Sequence, residues 1–268
     1  MKKLLPLLVA FPCLGSASGP LTADIAWIAE GGFCEPETVL PLPDDTLLVS
    51  NVCDFAKTDN GFLTLLKSDG SVIEWRILEG LDAPLGMALH NGQLHVVDNN
   101  QVKVFRWPGY ELIRTVTLET KVANDIAVGA DDTIYVTDSA RGEVVAIDAG
   151  LDQSILTGEP QFPGANGIHV NQDDLWVGGG RLWHVDLRDD TVTTVGPVFA
   201  GGIDGIEQER DGTLQVTPVG GPLIRLKDTI EIHDAEVISS ANHGYAENLG
   251  LVLIPTGFDN TVIAIRVD

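Results

Sequence analysis

The stretch Asn124-Asp-Ile-Ala-Val-Gly-Ala-Asp-Asp-Thr-Ile-Tyr-Val-Thr137 contains two short runs of apolar and β-branched residues separated by a turn. Runs of this kind, bounded by Gly, Asn and Asp, are typical of antiparallel strands joined by a tight turn. The same strand–turn–strand unit recurs along the chain with the same internal length. Glu37 stands thirteen residues before Ser50, and Asp204 stands thirteen residues before Thr217. The fold is therefore predicted from this recurring strand–turn–strand unit.

The repeat has six copies, of which the last is the weakest and the fourth has a turn one residue shorter. Their first residues are Glu37, Leu85, Asn124, Asn166, Asp204 and Asn242. A period of about 40 residues built from short strands predicts a β-propeller. No long segment shows helical periodicity with caps. We therefore expect an all-β, six-bladed β-propeller over residues 20–268.

Closure of the ring is also predicted from the sequence. The sixth copy ends with Asn260-Thr-Val-Ile-Ala-Ile-Arg266, which leaves its blade one strand short. The N-terminal run Asp24-Ile-Ala-Trp-Ile-Ala29 can supply that strand. Joining the two chain ends in one blade would remove an exposed sheet edge.

Residues 1–19 have the pattern of a secretory signal peptide. Lys2 and Lys3 precede a short apolar stretch from Leu4 to Leu14, and small residues follow at 15–19. The stretch is too short to span a bilayer, and no other segment approaches that length. We therefore expect a secreted or periplasmic protein without a membrane span.

Cys34 and Cys53 remain after the signal segment, with its Cys13, is removed. A pair of cysteines in an exported protein favours a disulfide. The two residues flank candidate strands joined near Pro43, so a hairpin there would bring them opposite one another. The alternative is two separate free thiols.

The chain is strongly acidic, with 39 Asp and Glu against 16 Lys and Arg and a net charge of −23. This charge repels phosphate backbones and anionic lipid surfaces, which argues against nucleic-acid and membrane partners. It suits a soluble exported protein, expected to be a monomer, and weakly favours divalent cations.

The first residues of the six copies share one register. In a propeller the first strand of each blade lines the central channel, so these residues should form a ring about the axis. Five of the six carry side-chain oxygens, a donor set that suits a hard cation, calcium above all. Asn and Asp beside Gly also occur simply in turns, and Asn166 and Asp204 are each open to that interpretation alone. A role in turns alone would not require these residues to share one register of the repeat.

Four segments resemble one known family. Glu35-Pro-Glu-Thr-Val-Leu, Asn124-Asp-Ile-Ala-Val, Asn166-Gly-Ile-His-Val and Asp204-Gly-Ile-Glu look like the senescence marker protein (regucalcin)/gluconolactonase family and, more distantly, the paraoxonase-type lactonases. The resemblance covers nearly all of the mature chain through short motifs. It implies a six-bladed propeller that holds calcium or another divalent cation at the top of the channel. The implied ligands are Glu37, Asn124, Asn166 and Asp204. Glu35 competes for the first position, and the thirteen-residue register favours Glu37.

The resemblance also implies an activity, hydrolysis of a small lactone or ester whose carbonyl is polarised by the cation. Asp204 matches the family residue that acts as base. Asp125, beside Asn124, is a second candidate, and His243 at the sixth copy is a third candidate for acid–base or substrate contact. Leu85 stands where paraoxonases keep a histidine, which puts that mechanism in doubt.

A different function class is also compatible with the sequence. The chain could be a non-catalytic propeller that binds a ligand or protein and holds a structural calcium ion, because the propeller fold serves many functions. No serine-hydrolase Gly-x-Ser-x-Gly elbow is present. An ionisable base open to the channel near the cation would favour the enzyme.

Overall fold

The computed structural model describes residues 21–157, 161–227, 230–235 and 240–267 of the 268-residue chain. Over these residues the chain forms twenty-five strands, β1 to β25, and one short 3-10 helix, η1 (Glu247–Leu249). The strands build six sheets arranged as propeller blades, which confirms the predicted fold. The predicted signal segment 1–19 lies outside the described residues. Within the described ranges no helix is long and apolar enough to cross a membrane.

The first three blades are four-stranded antiparallel sheets that follow one another along the chain. Blade 1 consists of β3 (Pro36–Pro41), β4 (Leu47–Asn51), β5 (Gly61–Leu66) and β6 (Val72–Leu81). Blade 2 consists of β7 (Pro84–His90), β8 (Gln93–Asp98), β9 (Gln101–Arg106) and β10 (Leu112–Thr117). Blade 3 consists of β11 (Ala123–Val128), β12 (Ile134–Asp138), β13 (Glu143–Ile147) and β14 (Gln153–Ile155).

The last three blades include both strands from the N-terminal end of the described chain. Blade 4 consists of β15 (Ile168–Asn171), β16 (Asp174–Gly178), β17 (Leu182–Asp186) and β18 (Thr191–Val195). Blade 5 consists of β19 (Ile203–Gln208), β20 (Leu214–Pro218), β21 (Leu223–Leu226), β22 (Ile230–Asp234) and β1 (Leu21–Thr22). Blade 6 consists of β23 (Gly244–Ala246), β24 (Leu251–Thr256), β25 (Thr261–Arg266) and β2 (Asp24–Ala29).

The core lies between neighbouring blades, because the inner strands are buried on both faces. Val104 of blade 2 packs in one cluster with Ile126 and Val136 of blade 3. Across the closing seam, Leu253 of blade 6 packs in one cluster with Val39 of blade 1. First strands of neighbouring blades contact each other around the ring, from β3 and β7 round to β23 and β3. This packing places the N-terminal ends of the first strands around one end of the axis.

The closing strand is formed by Asp24–Ala29, as the sequence predicts. Ile25 lies opposite Ile265 and Trp27 opposite Ala264 in the antiparallel pair of β2 and β25. Trp27 also donates its indole N–H to the Ser68 carbonyl of blade 1 at 3.0 Å, so the closing strand is anchored to the next blade. The two-residue strand β1, which pairs parallel to β22 in blade 5, was not anticipated from the sequence.

Some of the acidic side chains stabilise the turns between first and second strands. Asp131 Oδ1 accepts the backbone N–H of Thr133 at 3.1 Å, and Asp132 between them has a φ of 67°. The same arrangement recurs at Asp44 with Thr46. Asp side chains favour such turns because they accept a backbone N–H two residues on.

The predicted disulfide between Cys34 and Cys53 is present. Their Cα atoms are 4.7 Å apart, and the Cys53 N–H also donates to the Cys34 carbonyl at 3.0 Å. The bond ties the segment before β3 to the loop after β4. It therefore fixes the approach of the chain to Glu37.

Replacing both cysteines (Cys34→Ala with Cys53→Ala) should lower the free energy of unfolding by about 3 kcal/mol, because a cross-link across 19 residues restricts the unfolded chain. Urea unfolding of the oxidised protein and the double variant measures the loss. Reductant should destabilise the wild type and leave the variant unchanged. Equal stability of the two oxidised proteins would contradict the prediction.

Candidate functional site

The ring positions lie where the first strands begin, at one end of the channel. Glu37, Asn124 and Asp204 are the second residues of β3, β11 and β19. Asn166 and Asn242 each stand two residues before the first strand of their blade. The Asn242 N–H donates to the Glu37 carbonyl at 2.9 Å, which joins blade 6 to blade 1 at this level.

β-Bulges interrupt the ladder at the ring positions. The pairing of the first and second strands shifts register between Pro36 and Val39, between Ala123 and Ile126, and between Ile203 and Gly205. Blade 2 has the same shift around Leu85. A bulge re-aims the side chain that it carries, and bulges are frequent beside active sites. The regular strand alternation therefore does not govern where the ring side chains point.

Three ring oxygens are buried without a hydrogen-bond partner. They are Oδ1 of Asn124, Asn166 and Asp204. A buried acceptor left unpaired costs about 1–3 kcal/mol, so such atoms in a native fold call for a functional explanation. Three of them at equivalent positions of blades 3, 4 and 5 fit a set of oxygen ligands directed at a cation.

Three carboxyl groups at this end of the channel have raised pKa values. Desolvation raises the pKa of Glu37 to about 7, against a hydrogen bond from Thr38 Oγ1 that lowers it. Desolvation and then the Glu37 charge raise the pKa values of Asp125 and Asp204 well above the usual range. Asp204 also feels Asp125, and a hydrogen bond from the Asn166 side chain partly offsets these effects.

No Lys or Arg of the described residues forms an ion pair with any of these three carboxyl groups. Concentrated negative charge in a desolvated place is unfavourable unless a cation offsets it. The donor chemistry and the electrostatics of the ring therefore both fit a divalent cation. The described residues contain no cluster of three or more His, Cys, Asp and Glu side chains suited to a metal. The predicted ligand set is not a cluster of that kind, because two of its four members, Asn124 and Asn166, are amides.

Asp125 is buried at 3 % exposure, and both of its oxygens accept hydrogen bonds. Oδ1 accepts the N–H of Ile126 at 2.8 Å and Nδ2 of Asn242 at 2.9 Å, and Oδ2 accepts the N–H of Ile168 at 2.9 Å. Blades 3, 4 and 6 are thereby joined around one carboxylate. A Cβ on Gly86 would lie 2.2 Å from Asp125 Oδ1, so this approach requires glycine in blade 2. The geometry suits positioning better than proton transfer.

Asn242 continues this network toward blade 1. Its Nδ2 also donates to Thr38 Oγ1 at 3.2 Å, and Thr38 Oγ1 in turn donates to Glu37 Oε2 at 2.7 Å. Asn242 therefore links Asp125 to Glu37 across the channel. This role was not identified from the sequence, which counted Asn242 only as a ring member.

His243 is buried at 2 % exposure beside the ring. Its Nδ1 shares a hydrogen bond of 2.9 Å with Thr217 Oγ1, which also donates to the Ala241 carbonyl at 3.2 Å. Because the hydroxyl has one proton, this pattern places the imidazole proton on Nδ1. Nε2 is buried without a partner, and burial lowers the pKa of His243 to about 4. At neutral pH the ring is therefore neutral, with a lone pair available on Nε2.

The remaining candidates occupy less central places. Leu85 is buried, and its carbonyl accepts the Ser50 hydroxyl at 2.9 Å, so blade 2 adds no polar side chain to the ring. Glu35 precedes β3 in a turn with a φ of 50°. Its N–H donates to Asn260 Oδ1 at 2.7 Å. The hydrogen-bonded position of Glu37 supports it over Glu35 as the ring residue of blade 1.

Replacement Asn242→Ala should lower the free energy of unfolding by about 1–3 kcal/mol, since it removes one donor to the buried Asp125 carboxylate and the link to Thr38. Urea unfolding measures the loss. The matched control is Asn171→Ala, whose amide makes an exposed hydrogen bond to Gln208 and should change stability little. Equal effects of the two substitutions would contradict the assigned role of Asn242.

The raised pKa of Glu37 predicts a pH effect on stability with chelator present. The folded protein keeps this proton up to about pH 7, whereas the unfolded chain releases it near 4.5. The stabilising contribution of the protonated group is thus complete below 4.5 and is lost as the pH rises toward 7. Glu37→Gln should flatten this fall in unfolding free energy between pH 5 and 8. An unchanged slope in the variant would contradict the prediction.

No protein-family model matches the chain. No curated protein matches it either.

Several solved structures match the chain in fold. A protein named as a candidate gluconolactonase has 14 % sequence identity and a TM-score of 0.69, with 93 % of each chain covered. A catalytically inactive virginiamycin B lyase from Staphylococcus aureus, bound to quinupristin, has 14 % identity and a TM-score of 0.63, with 90 % of this chain and 99 % of that chain covered. A streptogramin B lyase has 12 % identity and a TM-score of 0.62, with 90 % and 98 % covered. At these identities the likeness shows that the chain shares their propeller fold.

Proposed function

We propose that this protein is a divalent-metal-dependent hydrolase that acts on a lactone or ester at the channel end formed by the ring. The observation that carries the proposal is the set of three buried, unpartnered oxygens on Asn124, Asn166 and Asp204. These oxygens lie at equivalent positions of blades 3, 4 and 5. The likeness in fold to a candidate gluconolactonase supports the same function.

Glu37, Asn124, Asn166 and Asp204 would hold the cation, and their oxygens suit calcium or another hard divalent ion. When bound, such an ion polarises a substrate carbonyl and stabilises the negative charge that develops on its oxygen. Thr38 and Asn242 orient Glu37 through the network that ends on Asp125.

Two residues are candidates to accept the proton of the attacking water. Asp204 is the base that the family resemblance implies. His243 presents an unpartnered Nε2 and is neutral at neutral pH, as a general base requires. In hydrolysis the water oxygen bonds to the acyl carbon, the acyl carbon–oxygen bond breaks, and the proton passes to the leaving oxygen. A lactone would yield a hydroxy acid.

A second candidate function is a non-catalytic propeller with a structural cation. The network of Asp125, Asn242 and Thr38 favours it, because these residues tie opposite blades together next to the ring. A cation there would stabilise this network without taking part in a reaction. Secretion or periplasmic location and a monomeric state remain predictions for either function.

Turnover of a panel of lactones and aryl esters tests the proposal. Activity should appear with calcium or zinc and disappear with chelator. Asp204→Asn should lower kcat/KM by about a hundredfold or more, because it impairs both a ligand and a candidate base. Asn166→Ala should weaken metal binding by about tenfold, measured by calorimetry and by metal-linked stabilisation.

The matched control is again Asn171→Ala, an amide of the same blade outside the ring, which should retain activity and metal affinity. Metal binding without turnover on any substrate would favour the structural role. Metal-linked stabilisation that survives both ring substitutions would contradict the ligand assignment.

A further inference from the structure

We propose that Lys121, Arg141 and Arg181 form an oxyanion subsite between blades 3 and 4 on the ring face. The ring face is the end of the molecule at which the ring opens, and it includes the loops after second strands and the connections between blades. The subsite takes a carboxylate or phosphate group of a small molecule whose other end reaches the ring. The inference deepens the proposed function, on which it rests only for the chemistry at the ring.

A cavity of about 270 Å³ opens between these two blades on the ring face. It lies between the loop after β12 and the segment that leads into β15. Its lining residues are Ala140, Arg141, Gly142, Pro163 and Gly164. The two segments are joined because the Phe162 N–H donates to the Gly142 carbonyl at 2.8 Å. The volume is close to the lower end of the range for small-molecule sites.

The cavity adjoins one of the candidate metal ligands. Gly164 stands two residues before Asn166, so their Cα atoms are at most about 7 Å apart. The Asn166 N–H donates to the Gly178 carbonyl at 2.8 Å, which fixes this ring position against β16. A single small molecule can therefore reach from the cavity to the ring.

Three cationic residues lie at or next to the cavity. Arg141 lines it, Lys121 lies in the connection that leads into β11, and Arg181 lies between β16 and β17. Lys121 and Arg181 are exposed, and neither forms an ion pair with a described residue. The chain has a net charge of −23, so two neighbouring cations without carboxylate partners mark a place suited to an anion.

A shared carboxylate ties Lys121 to the cavity. The buried Asp138 side chain accepts the Lys121 N–H at 2.6 Å and the Arg141 N–H at 3.1 Å. The connection before β11 and the loop after β12 therefore meet at Asp138. This contact brings the two cationic residues together on the ring face.

Arg181 belongs to a loop that approaches the cavity from blade 4. A Cβ on Gly179, two residues before Arg181, would lie 2.8 Å from the Gly164 carbonyl oxygen and 3.0 Å from that of Pro163. Only glycine permits this approach, because any larger residue would meet backbone atoms of the cavity lining. The loop of Arg181 is thus packed directly on the segment that leads to Asn166.

Arg141 has a guanidinium held in place with one nitrogen left over. Its Nη1 donates to the Glu119 carbonyl and lies 3.4 Å from Glu143 Oε1, and its Nε lies 3.9 Å from Asp138 Oδ2. Nη2 has no partner among the described residues. The hydroxyl oxygen of Ser139, at the start of the same loop, is also buried without a partner. Such donors match the oxygens of a carboxylate or phosphate.

The net charge of the chain does not oppose an anion at this position. At physiological ionic strength, charges more than about 8 Å apart are largely screened, so nearby groups decide the local potential. Glu143 offsets part of the Arg141 charge. Lys121 and Arg181 add two positive charges that no described carboxylate pairs with. The local charge balance therefore favours an oxyanion.

The test compares binding of L-pyroglutamate with binding of its neutral amide, L-pyroglutamamide, in the presence of calcium. Both are γ-lactams that resist hydrolysis, and they differ in the charge of one substituent. The subsite variant is Lys121→Gln with Arg181→Gln. The matched control is Lys67→Gln with Arg106→Gln, which removes the same charge at the other end of the blades, beside the turns after β5 and β9.

A second pair of variants places a side chain at the cavity itself. Ala140→Glu adds a carboxylate to the lining that contains Arg141, and Ala140→Gln adds a neutral side chain of the same size. Ala140 is exposed, so neither change disturbs the core. The difference between the two variants isolates the effect of charge.

Calorimetry at low ionic strength should show that the wild type and the control prefer pyroglutamate to pyroglutamamide by about fivefold. The subsite variant and Ala140→Glu should lose this preference, and Ala140→Gln should retain more of it than Ala140→Glu. Equal affinity of the wild type for the two lactams, or no binding of pyroglutamate, would overturn the inference. An undiminished preference in both the subsite variant and Ala140→Glu would also overturn it.

Further outcomes separate the type of oxyanion and the proposed function. Inorganic phosphate that binds more tightly than pyroglutamate with chelator present, and does so only with the three cations intact, supports the inference and assigns the subsite to a phosphate group. Charge-dependent binding of pyroglutamate without turnover of any lactone supports the inference while the proposed hydrolase function fails. Turnover of neutral lactones without charge-dependent lactam binding overturns the inference and leaves the proposed function standing.

Discussion

The pairing of β2 with β25 is the interaction on which the rest of the structure depends. It joins the two ends of the described chain in one sheet, so that blade 6 can pack on both blade 5 and blade 1. An open ring would expose the edge of blade 6 and leave Val39 and Leu253 without their common core. Closure also brings Asn242 beside Glu37, whose carbonyl accepts the Asn242 N–H.

At the same end of the channel, several carboxyl groups lie in a desolvated environment, where negative charge is unfavourable. Glu37, Asp125 and Asp204 come from three blades and have raised pKa values, chiefly through desolvation, and no described Lys or Arg pairs with them. Three hydrogen-bond donors stabilise the Asp125 carboxylate. Asp204, Asn124 and Asn166 each retain a buried oxygen without a donor. That contrast separates a positioning carboxylate from residues suited to hold a cation, and it underlies the proposed function.

Glycine is what lets neighbouring blades approach closely enough for this arrangement. A Cβ on Gly86 would meet the Asp125 carboxylate, and a Cβ on Gly205 would lie 2.3 Å from His243 Nδ1. Both glycines directly follow a ring position of their own blade. In blade 5 the ring therefore combines a polar residue, Asp204, with a glycine that makes room for the next blade.

The sequence by itself determined the six repeats, the closing strand from Asp24 to Ala29, the opposition of Cys34 and Cys53, and the level at which the ring residues lie. These follow from periodicity and chain connectivity, which are properties of residue order. Only the tertiary structure decided that both Asp125 oxygens accept hydrogen bonds and that Asn242 donates to Thr38. The reason is physical: bulges turn the ring side chains out of strand alternation, and hydrogen-bond partners come from blades far apart in sequence.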